Sequence, residues 1–168
     1  GITIDPRMSF GTGHHATTSQ MISELLQADL CGKQVLDMGC GTSILAILAR
    51  LRGAASCLAV DNDEWCVKNS LENIALNHTD RIEVVLGDAA ALDGRGPFDV
   101  VIANINRNIL LADMGRYVSC MAGGAILLMS GFYTSDVPVI RVEAERLGLR
   151  FGQARDMDGW ACVRFVKD

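Results

Sequence analysis

The glycine turn that interrupts the first apolar run constrains this chain most. Gln34-Val35-Leu36-Asp37-Met38 is a short stretch of strand character, Gly39-Cys40-Gly41-Thr42-Ser43 breaks it, and Ile44, Leu45, Ile47, Leu48 and Leu51 follow at helical spacing. A strand, a tight glycine turn and a helix, in that order, open a doubly wound α/β unit. Gly39 and Gly41 have no Cβ, so the backbone there can turn sharply and let a ligand lie against it. The helix that follows starts with free backbone N–H groups. A cofactor is the natural occupant, and a glycine turn without a ligand is the plainer alternative. The dinucleotide pattern Gly-x-Gly-x-x-Gly is not met. Its third glycine would fall at Ile44, whose branched side chain obstructs close helix–strand packing.

The rest of the chain alternates around that unit. Residues 1–15 read as loop. Residues 16–29 read as a helix with Met21, Ile22, Leu25 and Leu26 on one face. A second strand over 56–60 stops at Asp61, and a helix over 63–77 follows, capped by Asn62 or Asp63, with Val67, Leu71, Ile74 and Ala75 as its inner stripe. Strands over 82–86 and 98–103 come next, then a helix over 108–121 carrying Leu110, Met114, Tyr117, Val118 and Met121. Gly123-Gly124 turns into a fifth strand, 125–129, and a helix over 135–147 precedes strands at 149–155 and 160–166. Asp158-Gly159 between those two is a hairpin signal, which makes the last strand antiparallel. The expectation is one α/β domain over all 168 residues: a Rossmann-like seven-stranded sandwich, mostly parallel, with an antiparallel last strand.

In such sheets ligands sit beyond the carboxyl ends of the strands, at the switch point. The residues expected there are 37–43, Asp61, Asp88, Asn104 and 130–131. An acid at Asp61 can accept two ribose hydroxyls, or cap the next helix. Asp88 can accept from an adenine amino group, or stand as a solvated loop acid. The Asn104 carbonyl can hold an attacking amine by one N–H and aim its lone pair, or stabilise the loop as an Asx turn. Asn106 and Asn108 read as turn or cap residues.

Charge and cysteine usage narrow the partners. A formal net charge of −5 without a Lys/Arg cluster argues against gripping a nucleic-acid backbone and suits a basic protein or a cationic ligand. The six cysteines contain no Cys-x-x-Cys pair, and with three histidines no zinc spacing arises. Buried free thiols in a reducing cytosol fit that pattern, no metal site is expected, and no apolar run is long enough to span a bilayer.

Val35-Leu36-Asp37-Met38-Gly39-Cys40-Gly41-Thr42, Asp61 and Gly87-Asp88-Ala89, with the strand order, resemble a class I S-adenosylmethionine-dependent methyltransferase. Within that group, Phe10-Gly11-Thr12-Gly13-His14-His15-Ala16-Thr17-Thr18 resembles the Phe-Gly-Thr-Gly-x-His-x-Thr-Thr segment of the PrmA family, and Asp5-Pro6 and Ala103-Asn104-Ile105 match it too. Members of that family methylate the stalk-base protein of the large ribosomal subunit. The resemblance implies S-adenosyl-L-methionine as cofactor, transfer to lysine or N-terminal amines, and a cytoplasmic site of action. It also implies cofactor contacts from Thr18, Gly39, Asp61 and Asn104, with Phe10 and Thr12 helping a covering loop (1–15) close the site. Gly41 and Asp88 complete the cofactor-binding set, and Asn104 is the expected catalytic residue. His15 matches the family histidine. Ser43 stands where many relatives carry a third glycine, which implies a looser backbone approach. The family's N-terminal substrate-recognition domain is expected to be absent. Two alternatives stay open: methylation of a small molecule or nucleic acid, and a cofactor-binding fragment that is inactive without its substrate domain. Adenine- and glutamine-directed relatives carry Asn-Pro-Pro-aromatic after the fourth strand, which Asn104-Ile105-Asn106-Arg107 lacks.

Overall fold

The computed structural model describes residues 12–168, with side chains from His15 onward. Seven strands form one sheet: β1 (Gln34–Met38), β2 (Ser56–Asp61), β3 (Ile82–Leu86), β4 (Phe98–Asn104), β5 (Met121–Tyr133), β6 (Leu149–Met157) and β7 (Trp160–Lys167). Their order is β3-β2-β1-β4-β5-β7-β6. The first five are parallel, and β7 runs antiparallel to both its neighbours. Asp158 and Gly159 both take positive φ (54° and 82°), the twist that a two-residue hairpin between right-twisted strands demands. The chain's direction of winding reverses between β1 and β4, so the glycine turn and Asn104 flank the switch point.

The helices α1 (Thr12–Gln27), α2 (Ile44–Leu51), α3 (Glu64–Leu76), α4 (Arg107–Ser119) and α5 (Val137–Arg146) cover the sheet. Successive strand residues face opposite sides. Leu36, Met38, Val101, Ala103 and Leu127 therefore pack with Leu110 and Met114 of α4 and Ile140 of α5. Val35, Ala59, Val100, Ile102 and Leu128 pack with Met21 and Leu25 of α1 and with Leu45 and Ala49 of α2. Strands buried on both faces read as near-continuous apolar runs, which is why they were legible.

Three sequence expectations are corrected. Helix α1 starts at Thr12, inside the stretch read as loop, because its first turn carries no apolar period to announce it. Strand β5 starts at Met121, and Gly123-Gly124 is a bulge inside it rather than a turn before it. Phe98 pairs with Met121, the register shifts, and Val100 pairs with Ile126, with Gly124 at φ 83°. In α3 the buried residues are Asn69, Ser70 and Asn73, whereas Leu71 is 55% exposed. The polar stripe faces inward because it has backbone carbonyls to bond there.

Cys40, Cys57, Cys120 and Cys162 are buried free thiols; Cys66 is half-buried and Cys31 exposed. Among the described residues no helix is long and apolar enough to cross a membrane.

Candidate functional site

The glycine turn is laced to the end of β2. Gly39 and Cys40 donate their N–H groups to Val60 O at 2.8 and 3.0 Å, and Gly41 N–H donates to Asp61 Oδ2 at 3.0 Å. Asp61 Oδ1 accepts from Asp63 N–H at 3.0 Å. The cap of α3 is Asp63 itself, accepting from Trp65 N–H at 2.8 Å, so Asp61 is not the cap. Both Asp61 oxygens keep a lone pair for a further donor. The N–H groups of residues 39–41 are thus used within the protein. The turn presents a ligand with a surface rather than a row of donors.

From the other side, α3 holds the turn by its carbonyls. Ser70 Oγ donates to Gly41 O at 2.8 Å and receives the Ser43 hydroxyl at 2.7 Å, while Asn73 Nδ2 donates to Thr42 O at 3.1 Å. Ser43 is left-handed (φ 62°), the backbone state for which a glycine would be the unstrained choice. A Cβ at Gly39 would meet Ile105 Cγ1 at 2.8 Å, whereas at Gly41 it would meet open space. Gly39 therefore lets the segment after β4 close against the turn, and Gly41 leaves room in front of it.

A cavity of about 230 Å³ opens at the carboxyl ends of β1–β4. It gathers Gly39, Asp61, Asp88 and Asn104 from four separate strand ends. Ile105, Ile109, Asp113 and Tyr117 also line it, none of which the sequence reading singled out for the site. Among the described residues, three carboxylates and no Lys, Arg or His border this space. Asp88 accepts from Ala90 N–H at 2.9 Å and so caps a short 3-10 turn (Ala89–Leu92), its second oxygen unengaged among the described residues. The half-buried amide of Asn104 has no hydrogen-bond partner among the described residues. Its loop is held in place: Ile105 N–H donates to Ser130 O at 3.0 Å, and a Cβ at Gly131 would lie 2.6 Å from Ile105 O. Asn106 caps α4 by accepting from Ile109 N–H at 3.1 Å, as its reading predicts.

Beneath the turn lies Asp37, 1% exposed, with Oδ2 unpartnered. Burial and the neighbouring Asp61 push its carboxyl up to about 7, against the pull of the Ala46 backbone N–H.

The remaining candidates stand apart. Gly41 reaches the cavity only through its bond to Asp61. Thr18 is half-buried on α1 and outside the cavity lining. Thr12 opens α1, its side chain lies outside the described residues, and so does Phe10. His15 is exposed. A larger hollow of about 860 Å³ lies at the opposite end of the sheet, lined by Gln34, Arg81, Glu83 and Asp99, where the strands begin. Ligands of open α/β sheets bind at the other end.

Comparison with known proteins converges on one group. The family described as ribosomal protein L11 methyltransferase (PrmA) matches residues 1–168. The ribosomal protein L11 methyltransferase of Bacteroides fragilis is 64% identical over 165 residues, covering 98% of this chain and 59% of that protein. The counterpart of Porphyromonas gingivalis is 54% identical over 167 residues, covering 99% of this chain and 58% of its own length. The crystal structure of a ribosomal protein L11 methylase from Lactobacillus delbrueckii subsp. bulgaricus superposes with a TM-score of 0.90 at 28% identity, covering 99% of this chain and 86% of that one. The chain thus spans a little under three fifths of the length of the curated relatives it matches.

Proposed function

The chain belongs to the ribosomal protein L11 methyltransferase family, and on that premise we propose that it binds S-adenosyl-L-methionine and transfers its methyl group to amines of ribosomal protein L11. Lysine side chains and the N-terminal amine are the acceptors in this reading, and the cytoplasm is its place of action. The part of the relatives beyond the matched span is proposed to carry recognition of the ribosomal protein. A single module over residues 1–168 then supplies the cofactor site.

The observation that carries the reading is the acid-lined cavity at the switch point. Among the described residues, Asp61, Asp88 and Asp113 line it without any Lys, Arg or His. Such a site repels phosphates and attracts a nucleoside bearing positive charge, which separates a sulfonium nucleoside from a nicotinamide dinucleotide. When bound, S-adenosyl-L-methionine would supply an electrophilic methyl on a cationic sulfur.

Each residue has one task in this scheme. Asp61 accepts the ribose hydroxyls while Gly41 N–H holds its carboxylate still. Gly39 and Gly41 offer a backbone surface without side chains. Asp88 receives the exocyclic amine of the base, and Thr18, Phe10 and Thr12 help to cover the site. Asn104 accepts one N–H of the incoming amine and aims its lone pair along the line of displacement. The amine must arrive neutral, and at a reference pKa of about 10.4 only a few lysines in ten thousand are neutral at pH 7. Among the described residues no His or Glu lines the cavity; the scheme therefore has the proton leave to water before attack, with positioning supplying most of the rate.

Calorimetric titration of the chain with S-adenosylhomocysteine tests the cofactor half of the proposal; absence of heat would defeat it. Mass spectrometry of ribosomal protein L11, after incubation with cofactor and either this chain or a relative of full length, tests the rest. Methyl groups added by neither protein would refute the substrate assignment. Cofactor binding with transfer by the longer protein alone would make this chain the cofactor module of the enzyme.

A further inference from the structure

The loop after β4 borders two spaces. Asn104 and Ile105 line the acidic cavity, whereas Asn106 and Arg107 line a neighbouring hollow of about 450 Å³ together with Gly131, Tyr133 and Trp160. The loop fits this closely between them because Gly131 has no Cβ, which would lie 2.6 Å from Ile105 O. An acceptor held by Asn104 therefore has the hollow beside it, and so has the chain that carries the acceptor.

The surface of the hollow suits a cation. Tyr133 stacks on Trp160 with ring centroids 4.3 Å apart and is still 54% exposed, so a ring face stays open among the described residues. Trp160 is held from behind, its carbonyl accepting from Gln20 Nε2 at 3.1 Å. Thr134 N–H donates to Gly159 O at 2.7 Å, which brings the Asp158-Gly159 turn alongside the tyrosine. Asp158 is exposed and makes no hydrogen bond or ion pair among the described residues. Arg107, by contrast, is already engaged: Nη1 donates to Asp136 at 2.9 Å and Nε to Asn108 Oδ1 at 3.2 Å. With that pair neutral, Asp158 and the three carboxylates of the adjoining cavity leave this end of the sheet negative. An open aromatic face beside an uncompensated carboxylate attracts an ammonium or a guanidinium.

We infer that Tyr133 and Asp158 hold a basic side chain, Lys or Arg, that neighbours the acceptor in the polypeptide substrate, so that this module favours acceptors with a cationic neighbour. The inference rests on the reading of a polypeptide amine as acceptor and adds a sequence preference to it. The cation lies on the open face of the Tyr133 ring, its stem along the aromatic pair and its charge toward Asp158. A neutral side chain of the same length keeps the apolar contact and loses the charge, and an acidic one meets repulsion.

The probes are three blocked tetrapeptides, Gly-Lys-Xaa-Gly, in which Xaa is arginine, norleucine or glutamate. Trp65→Phe leaves Trp160 as the one tryptophan of the chain, so its fluorescence reports on the hollow. In that background the arginine peptide should quench saturably and bind about tenfold tighter than the norleucine peptide, with the glutamate peptide weakest. Tyr133→Ala should cut the preference for arginine to below about threefold, and Tyr133→Phe, which keeps the ring, should retain it. Asp158→Asn should reduce it about threefold. Calorimetry with S-adenosylhomocysteine should give every variant the parent's affinity, which shows that the fold and the cofactor cavity are intact. Equal binding of the three peptides by the parent, saturable quenching by none of them, or a preference that survives Tyr133→Ala would overturn the inference. Loss of S-adenosylhomocysteine affinity in Tyr133→Ala would make the ring a support of the cofactor cavity and overturn it too. A parent chain that ranks the peptides as expected but gives no heat with S-adenosylhomocysteine keeps the basic-neighbour site and defeats the cofactor reading. The reverse result defeats the inference alone.

Discussion

Two buried carboxylates show how differently the two halves of this sheet are built. Glu24, 2% exposed on α1, receives Arg155 Nε at 2.9 Å, Gln153 Nε2 at 3.2 Å and Arg164 at 3.4 Å from the antiparallel hairpin. Asp37, equally buried near the end of β1, has no cation beside it among the described residues and a second acid, Asp61, nearby. The hairpin half neutralises what it buries. The parallel half leaves polar groups uncompensated, and the same contrast runs through the other buried side chains that lack a partner. Asn69 Oδ1, Tyr117 OH and Ser130 Oγ belong to the helix holding the turn, the cavity wall and the strand end beside Asn104; among the described residues only Gln20 Oε1 lies toward the hairpin. One half is arranged for stability and the other for a ligand.

Substitutions can break or sharpen this contrast. Glu24→Gln should lower unfolding free energy by about 3 kcal/mol, because it leaves two guanidiniums without their buried charge. Affinity for S-adenosylhomocysteine should stay at the parent value, as urea titration and calorimetry on one preparation would show. In the other half, Asp61→Ala should cut that affinity about 100-fold through two lost charge-assisted bonds. Its loss of stability should be only about 1 kcal/mol.

Asp37 sharpens the comparison through pH. Its carboxyl titrates near 7 in the native protein and near 3.9 in an unfolded chain. Between those values the native state holds more protons, so stability falls as pH rises through the window, by at most about 1.4 kcal/mol per unit, and levels off above it. Asp37→Asn should remove that fall, which unfolding curves at pH 5 and pH 8 would reveal. If the variant keeps the parent's slope, the charge of Asp37 is not what the parallel half tolerates. Ser70→Ala should cost about 1 kcal/mol by freeing the Gly41 carbonyl. Arg95→Ala, at the exposed pair with Glu83 (2.7 Å), should leave the unfolding curve where it is, because water screens the pair.

Much of the sheet could be read directly. β1, β2, β3 and the closing hairpin fall within a residue or two of the expected bounds: β1 and β2 are central and written as apolar runs, while the edge strand β3 and the hairpin are marked by β-branched residues and the Asp158-Gly159 turn. The residues at strand ends were also legible: Asp61, Asp88 and Asn104 do converge on one cavity. The wall that α4 contributes was not, although Asp113 and Tyr117 stand at i and i+4. Tyr117 reads as core from its apolar company, and nothing local says that its hydroxyl is left over. In α3 the period of Asn69, Ser70 and Asn73 was as visible as that of Leu71 and Ala75, and the apolar stripe was the wrong choice. A polar stripe can be buried when carbonyls await it, and those carbonyls belong to a turn nearly thirty residues upstream.

By itself, then, the sequence determined the elements, their parallel winding and the glycine turn, since each of these is encoded by neighbours in the chain through turn chemistry and hydrophobic period. Only the tertiary structure decided which polar groups are paired and which are left for a ligand. Pairing is set by what lies opposite in space, and here the opposite partners come from strands and helices far apart along the chain.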